Sequence, residues 1–346
     1  MGSGSVVARC VEVETQHAER AISALRSLGL LLPNSKAKSY RCRGVVRLPV
    51  IGGLSRKAVD ALGELGISAT ECVDEFEVGS RGLRYVDLLR GVIPEEALRR
   101  LPRSYQLVGD VAIVHLPEDL LIYGRVIGEA IARISKGVRA VYSSSATEGE
   151  FRVRRLIRLW GEDVGETVHV EYGVKIVVDV GRVYFNPTLS YEHWRVSEEV
   201  GDGERVLDLF SGVGPYSLHI ASKRRATCFA VDSNPWAAIY LAKSIAMNKL
   251  LGKVVVVVSR VDDFLEEISS DRFTRVIVDL PHRSLEYLEK AVAALSCGGY
   301  AHIYALGGEE PPIRNLEGYM RLVETRRVLE YAPRKYIYGL KIVKKC

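Results

Sequence analysis

The sequence predicts an α/β protein: a carboxyl-terminal domain built on a parallel sheet covered on both faces, preceded by two smaller α+β modules. Three observations carry this. From about residue 205, strand-like runs alternate with helical stretches (RVLDLF, TCFAVD, VVVVVS, RVIVDLP, YAHIYAL). Those runs are continuously apolar rather than alternating, as in strands buried on both faces. And 346 residues leave room for two or three domains.

Taken in order, residues 1–75 form the first small module. SVVARCVEVE alternates as a strand, HAERAISALRSLGLL has helical spacing, and YRCRGVVRLPV reads as a second strand. SRKAVDALGELG is a second helix, with Ser55 as its cap and Gly66 as its stop. Residues 76–160 form the second module, in which SYQLVGDVAIVHLP reads as a turn and a strand and YGRVIGEAIARI as a helix. SSSATEGE at 143–150 is small and polar and reads as a linker or exposed loop. Residues 161–346 form the third domain. It opens with strands turning at Tyr172-Gly173 and Gly181, and its last two strand-like stretches, 321–331 and 335–344, close the sheet with an antiparallel edge.

A composition of 47% hydrophobic and 26% charged residues fits a soluble globular chain. The start has no basic region followed by a long apolar stretch, and the longest aliphatic run, VVVVV at 254–258, is too short to span a bilayer. The expectation is a cytoplasmic protein with no membrane partner. Scarce Asn, Gln and Met beside plentiful Arg, Val and Glu fit a hot environment. Six scattered cysteines form no C-x-x-C pair, so core packing is the expectation and no metal site is read. Residues 35–57 hold seven Lys or Arg and no acid, FRVRRLIR at 151–158 has four arginines, and the tail is basic with interleaved tyrosines. Any one stripe reads equally as a solvated face; three together favour a nucleic acid partner.

The motif LDLFSGVGPYS follows the first strand of the alternating region. Gly212 and Gly214 let backbone approach a ligand closely, and Pro215 suits the first turn of a helix, although a tight structural turn explains the same residues. FAVDSNP sharpens the reading: Asp232 is placed to accept both ribose hydroxyls of an adenosine-bearing cofactor, and Asn234-Pro235 opens the helix WAAIYLAKSIAMNKL, which is expected to bury Ala238, Leu241, Ile245 and Asn248. Asp262 and Asp263 follow the third strand, where an acid or its neighbouring amide meets an adenine amino group. No lysine follows the glycines, which excludes a P-loop, and the third glycine of a dinucleotide fingerprint is missing. The pattern resembles the S-adenosyl-L-methionine site of Rossmann-like class I methyltransferases. The cofactor-binding set is then Asp208, Phe210, Gly212, Gly214, Pro215, Asp232, Ser233, Asn234, Asp262, Asp263, Leu280 and Pro281.

GEFRVRRL, YGVKIVVDVGRVYFNPTLSYE, GERVLDLFSGVGPYSL, AVDSNPWA, VDLPH and YAPRKYIYGLKI stand in the order expected of archaeal-type tRNA (guanine37-N1)-methyltransferases, so the chain resembles that family over nearly its whole length. The resemblance implies two tRNA-binding modules and a Rossmann-like domain that methylates the base 3′ of the anticodon, in a protein able to work as a monomer. It places the general base at Glu192, expected on an exposed turn, and the arginine facing guanine O6 at Arg152. Asp279 stands where the family has Asn, and is suited to accept hydrogen bonds from guanine N1–H and the 2-amino group. Thr188 and His193 replace expected arginines, so the departures gather on the target-base side. Tyr184 and Phe185 read as pocket walls or as core. Two other readings remain: a methyltransferase acting on a wyosine intermediate at the same position, and a tRNA-binding protein with a vestigial cofactor pocket.

Overall fold

A computed structural model describes residues 4–33, 35–40, 43–78, 83–148, 153–268, 270–316 and 318–346. The chain forms two compact units, one of residues 1–145 with 156–164 and one of 146–155 with 165–346.

The first unit carries two four-stranded sheets. Strands β1 (Gly4–Glu14), β2 (Lys38–Tyr40), β3 (Val45–Pro49) and β4 (Ala69–Val78) pair antiparallel in the order β2-β3-β1-β4. Helices α1 (Ala18–Ser27) and α2 (Ser55–Glu64) bury Leu25 and Leu62 against Val11, Val13 and Leu48. Ser55 is not the expected cap: it is the first helical residue and its side chain makes no cap bond, while Gly66, at φ 69°, does end the helix. The acidic stretch at 69–78 is a strand that its charges conceal in the sequence. After α3 (Tyr85–Leu88) and α4 (Glu95–Arg100), β5 (Gln106–Val108) and β6 (Val111–Val114) form a hairpin. Helix α5 (Gly124–Ile134) crosses over to β7 (Ala140–Glu148), parallel to β6, and β8 (Val153–Gly161) completes the order β5-β6-β7-β8. The serine-rich stretch expected as a linker is therefore strand through Glu148, its backbone held by the sheet; residues 149–150 lie outside the described residues.

The cysteines correct another expectation. Cys10 and Cys72 stand directly opposite on β1 and β4 with Cα atoms 4.8 Å apart and are disulfide-bonded; Cys297 and Cys346, 5.2 Å apart, form a second bridge. Cys228 is free and buried as expected, and Cys42 lies outside the described residues.

The second unit opens with the hairpin β9 (Glu166–Glu171) and β10 (Val174–Asp179). Its two-residue turn puts Tyr172 and Gly173 at φ 45° and 88°, the left-handed pair that such a hairpin needs. After α6 (Ser190–Glu199) come β11 (Arg205–Leu209), α7 (Pro215–Lys223), β12 (Thr227–Asp232), α8 (Pro235–Met247), β13 (Lys253–Val258), α9 (Val261–Glu267), β14 (Phe273–Val278), α10 (Leu288–Ala293), β15 (Leu295–Gly307), β16 (Met320–Ala332) and β17 (Lys335–Lys344). The sheet order is β13-β12-β11-β14-β15-β17-β16: five parallel strands closed by a hairpin whose two pairings, β15 with β17 and β17 with β16, are antiparallel, as the sequence predicts. The order reverses beside β11, between β12 and β14, and the carboxyl ends of these strands are where such sheets bind ligands.

Helix α8 buries Ala237, Tyr240, Leu241 and Ser244, a face shifted from the expected one. Ser244 accounts for the shift: its Oγ accepts from the Val177 amide of β10 at 2.8 Å, while Asn248, on the expected face, accepts from the Lys175 amide at 2.9 Å.

Candidate active site

The cleft at the carboxyl ends of β11, β12 and β14 is shaped by a tight turn of left-handed backbone. Phe210 (φ 60°), Gly212 (52°) and Gly214 (69°) all take left-handed backbone, and Gly214 then starts α7 with Pro215 at its first turn. A Cβ on Gly214 would lie 2.6 Å from Leu241 Cδ1. Asp232 fixes the turn from the next strand: one carboxylate oxygen accepts the Gly212 amide and the other the Asn234 amide, each at 2.8 Å. Burial pushes the Asp232 carboxyl above its ordinary range, and these two amides counter it. Asn234 caps α8 by accepting the Trp236 amide, and its Nδ2 donates to the Arg182 carbonyl, so its side chain serves the scaffold.

Of the cofactor residues expected from sequence, Phe210, Gly212, Pro215, Asp232, Ser233, Asn234, Leu280 and Pro281 line one cleft, together with Ser211 and Asp279. Asp208 and Gly214 are not among the lining residues. Asp262 and Asp263 are not among the lining residues: Asp262 instead accepts from Tyr287 and Lys290, both at 3.0 Å, which turns it toward α10. The lining suits S-adenosylmethionine. It offers a carboxylate beside an open glycine turn, apolar walls, and a buried Ser211 hydroxyl with no partner among the described residues.

Asp208 is almost fully buried; one oxygen accepts from Ser217 (2.7 Å) and the other has no partner among the described residues. Burial, with the Asp279 charge adding to it, pushes its carboxyl up to about 7. An acid whose folded value exceeds its unfolded one costs stability as pH rises from the unfolded value, about 4, to the folded one. Asp208→Asn is therefore expected to raise the melting temperature more at pH 8 than at pH 5; an equal change at both would refute this account.

Glu192 departs most from expectation. It is not on an exposed turn but in the first turn of α6, 2% exposed. Tyr304 Oη donates to it at 2.7 Å, Arg195 Nη2 at 2.8 Å, and the Arg326 guanidinium pairs with it as well. Burial pushes this carboxyl up, but the three donors outweigh burial and hold it below its ordinary value. Glu192 is absent from the cleft lining, whereas its neighbour His193 is present. Arg152 lies outside the described residues. Arg154, on β8, sets its guanidinium 5.8 Å from the ring centre of Tyr184, which lines the cleft with Phe185 and Asn186.

Sequence reading treated His193 only as a departure and missed its partner. His193 Nδ1 lies 2.8 Å from Glu171 Oε2, and His219 Nε2 lies 3.2 Å from the same oxygen. Burial pushes the Glu171 carboxyl up, but these two imidazoles bring it down to about 2. The H-x-E of β9 was the available signal. Among the described residues no group of three or more His, Cys, Asp or Glu is arranged to hold a metal ion.

Comparison with known proteins agrees with this geometry. Residues 167–328 match the TRM5/TYW2 methyltransferase domain and residues 85–165 the TYW2 N-terminal domain. The chain is 39% identical over 256 residues to the tRNA (guanine(37)-N(1))-methyltransferase Trm5b of Pyrococcus abyssi, covering 70% of this chain and 76% of that protein. The structure of aTrm5 in complex with tRNALeu aligns with a TM-score of 0.67 at 27% identity, over 97% of this chain and 99% of that one. Trm5 of Methanocaldococcus jannaschii in complex with adenosine aligns at 0.63 and 26% identity, over 98% and 99%. With its Rossmann-like sheet, its glycine turn and this similarity along most of its length, the chain belongs to the TRM5/TYW2 methyltransferase family.

Proposed function

We propose that this protein is an S-adenosylmethionine-dependent tRNA methyltransferase that forms 1-methylguanosine at position 37, and that it does so in the cleft where Asp232 and the Gly212 turn face Asp279. That single cleft carries the reading, because Asp232 and the glycine turn line it together with Asp279, Tyr184 and Phe185. The naming of the Pyrococcus abyssi relative and the tRNA and adenosine complexes of the structural neighbours support it.

In this reading S-adenosylmethionine supplies an electrophilic methyl group on a sulfonium. Asp232 accepts from the ribose hydroxyls, using lone pairs that its two backbone amides leave open. The Phe210–Pro215 turn takes the methionine end, and Leu280 and Pro281 wall the adenosine. Asp279 accepts from the guanine 2-amino group, holding the base edge in register, and Tyr184 and Phe185 border it. Arg152, by the family resemblance, faces O6 and stabilises the charge that builds there as N1 loses its proton. Glu192, by the family resemblance, takes the N1 proton, and its pairing with Arg195, Arg326 and Tyr304 holds its carboxylate in the charged form. The basic stripes at 35–57 and 151–158 are assigned to the tRNA backbone.

The test is methyl transfer from labelled S-adenosylmethionine to an unmodified transcript bearing G37, followed by nucleoside mass spectrometry. The expected result is 1-methylguanosine that disappears when the transcript carries A37. The match of residues 85–165 to the TYW2 N-terminal domain favours a second reading, modification of a wyosine intermediate at the same nucleotide. No product on G37, with product on tRNA carrying 4-demethylwyosine, would establish that reading instead.

A further inference from the structure

A base that receives a methyl group inside a cleft must first leave its stack, and a flat or apolar side chain has to replace the neighbours it loses. Among the described residues, four phenylalanines and tyrosines line the cleft: Tyr184, Phe185, Phe210 and Tyr331. Phe185 is buried with its ring edge-on to His169, and Phe210 packs edge-on against Tyr287. Tyr184, 37% exposed, is flanked by the Arg154 guanidinium. Tyr331, near the end of β16, is the most exposed of the four at 47%. Its ring meets that of His282 edge-on, with centroids 5.2 Å apart. His282 ends the run Asp279–His282, every residue of which lines the cleft. The β16–β17 hairpin is tied to this run through β15: the Leu306 amide donates to the Pro281 carbonyl at 3.0 Å, and Leu306 pairs with Ile337 of β17.

Charge points to the same occupant. After Glu330 the chain carries no acid, while Arg334 in the hairpin turn and Lys335 at the start of β17 are both exposed. An exposed ring followed at once by two cations suits a nucleotide, which brings a flat base and a phosphate together. We propose that Tyr331 stacks on the extruded base of nucleotide 37, and that Arg334 and Lys335 hold the phosphates beside it. The assignment rests on the functional reading above. It makes the β16–β17 hairpin part of the substrate site, with Ile337 of the same hairpin also lining the cleft. The division of labour follows from the chemistry. Every base has a π face, so stacking on Tyr331 strengthens the hold on any base at position 37. Asp279, a hydrogen-bond acceptor, is left to distinguish guanine by its donors.

The test pairs variants of the full-length protein with two transcripts, one bearing G37 and one abasic at nucleotide 37. The wild type is expected to bind the G37 transcript at least about tenfold more tightly than the abasic one. Tyr331→Ala is expected to bind the two alike, which is the coupling a direct contact produces. Tyr331→Leu, which keeps the bulk of the side chain, is expected to follow alanine. Tyr331→Phe is expected to keep both the preference and the rate, because the ring carries the stack. Single-turnover transfer to G37 is expected to fall at least about tenfold in Tyr331→Ala, with the cofactor dissociation constant within about threefold of wild type. Arg334→Ser with Lys335→Ser is expected to weaken binding of both transcripts equally and to flatten its salt dependence. A wild type that forms no 1-methylguanosine on the G37 transcript overturns the functional reading, and this assignment with it. A wild type that does form it, but binds the two transcripts alike, overturns the assignment alone. So does a folded Tyr331→Ala or Tyr331→Leu variant that keeps the wild-type preference for G37, or a Tyr331→Phe variant that loses as much as alanine. A Tyr331→Ala variant that loses cofactor affinity instead overturns it too, by placing the ring against the cofactor.

Discussion

Replacing Asp232 with alanine is expected to raise the dissociation constant for S-adenosylmethionine at least about a hundredfold. Its carboxylate carries two loads at once. It fixes the glycine turn by accepting the Gly212 and Asn234 amides at 2.8 Å, and by our assignment it accepts the ribose hydroxyls. A hydrogen bond to a charged acceptor contributes about 1.5–3 kcal/mol, and two amides left without a partner add their own cost. Losing roughly 3 kcal/mol is more than a hundredfold in affinity. Asp232→Asn should lose less, since its carbonyl oxygen still accepts one amide. Titration calorimetry with the cofactor decides this: alanine and wild-type affinities within fivefold of each other would remove Asp232 from the cofactor site.

The second large effect is on stability. Glu192→Gln is expected to destabilise the protein by about 3 kcal/mol, because breaking a buried ion pair costs roughly 3–5 kcal/mol when the partner charge stays behind. The lower end applies, since the Arg195 and Arg326 side chains keep 18% and 29% of their surface in water and Arg195 also reaches Glu199. The pH dependence has a definite sign. The Glu192 carboxyl is held below its ordinary value, so its contribution is complete above the unfolded carboxylate range and fades as pH falls through the lower folded value. The gap between variant and wild type in thermal unfolding should therefore be widest near neutrality and narrow in acid. A variant that melts with the wild type at pH 7 would mean that the three donors contribute nothing net.

These two residues also mark what the sequence makes legible. The cofactor side could be read because its determinants are local. Gly212, Gly214 and Pro215 lie within four positions of one another, and Asp232 ends the very next strand. The alternation of apolar strands and helices likewise revealed the parallel sheet and its antiparallel edge. Glu192 could not be placed, because its burial depends on Tyr304 and Arg326, 112 and 134 residues away. The Asp262 side chain bonds to Tyr287 and Lys290, from a later segment that its own neighbours in sequence do not announce. The face of α8 was misjudged for a related reason: Ser244 bonds to the Val177 amide of β10, so a polar residue is buried where periodicity favours apolar ones. The serines of β7 were read as a linker because composition says nothing about the strand waiting beside them.

The final hairpin has a consequence for how the protein is made. The last strand in the chain, β17, is not the last in the sheet; it lies inside, between β15 and β16. From this hairpin come Tyr331 and Ile337 at the cleft and Arg326 on Glu192, and Cys346 fastens the chain end to Cys297. During synthesis the glycine turn and Asp232 leave the ribosome more than a hundred residues before the strand that completes the sheet beside them. At about 5–20 residues per second, the nascent chain spends several seconds with an open sheet edge beside β15. A ribosome that stalls after residue 320 would release a chain that carries the cofactor turn but an unfinished cleft, with its apolar edge exposed to any strand that reaches it first.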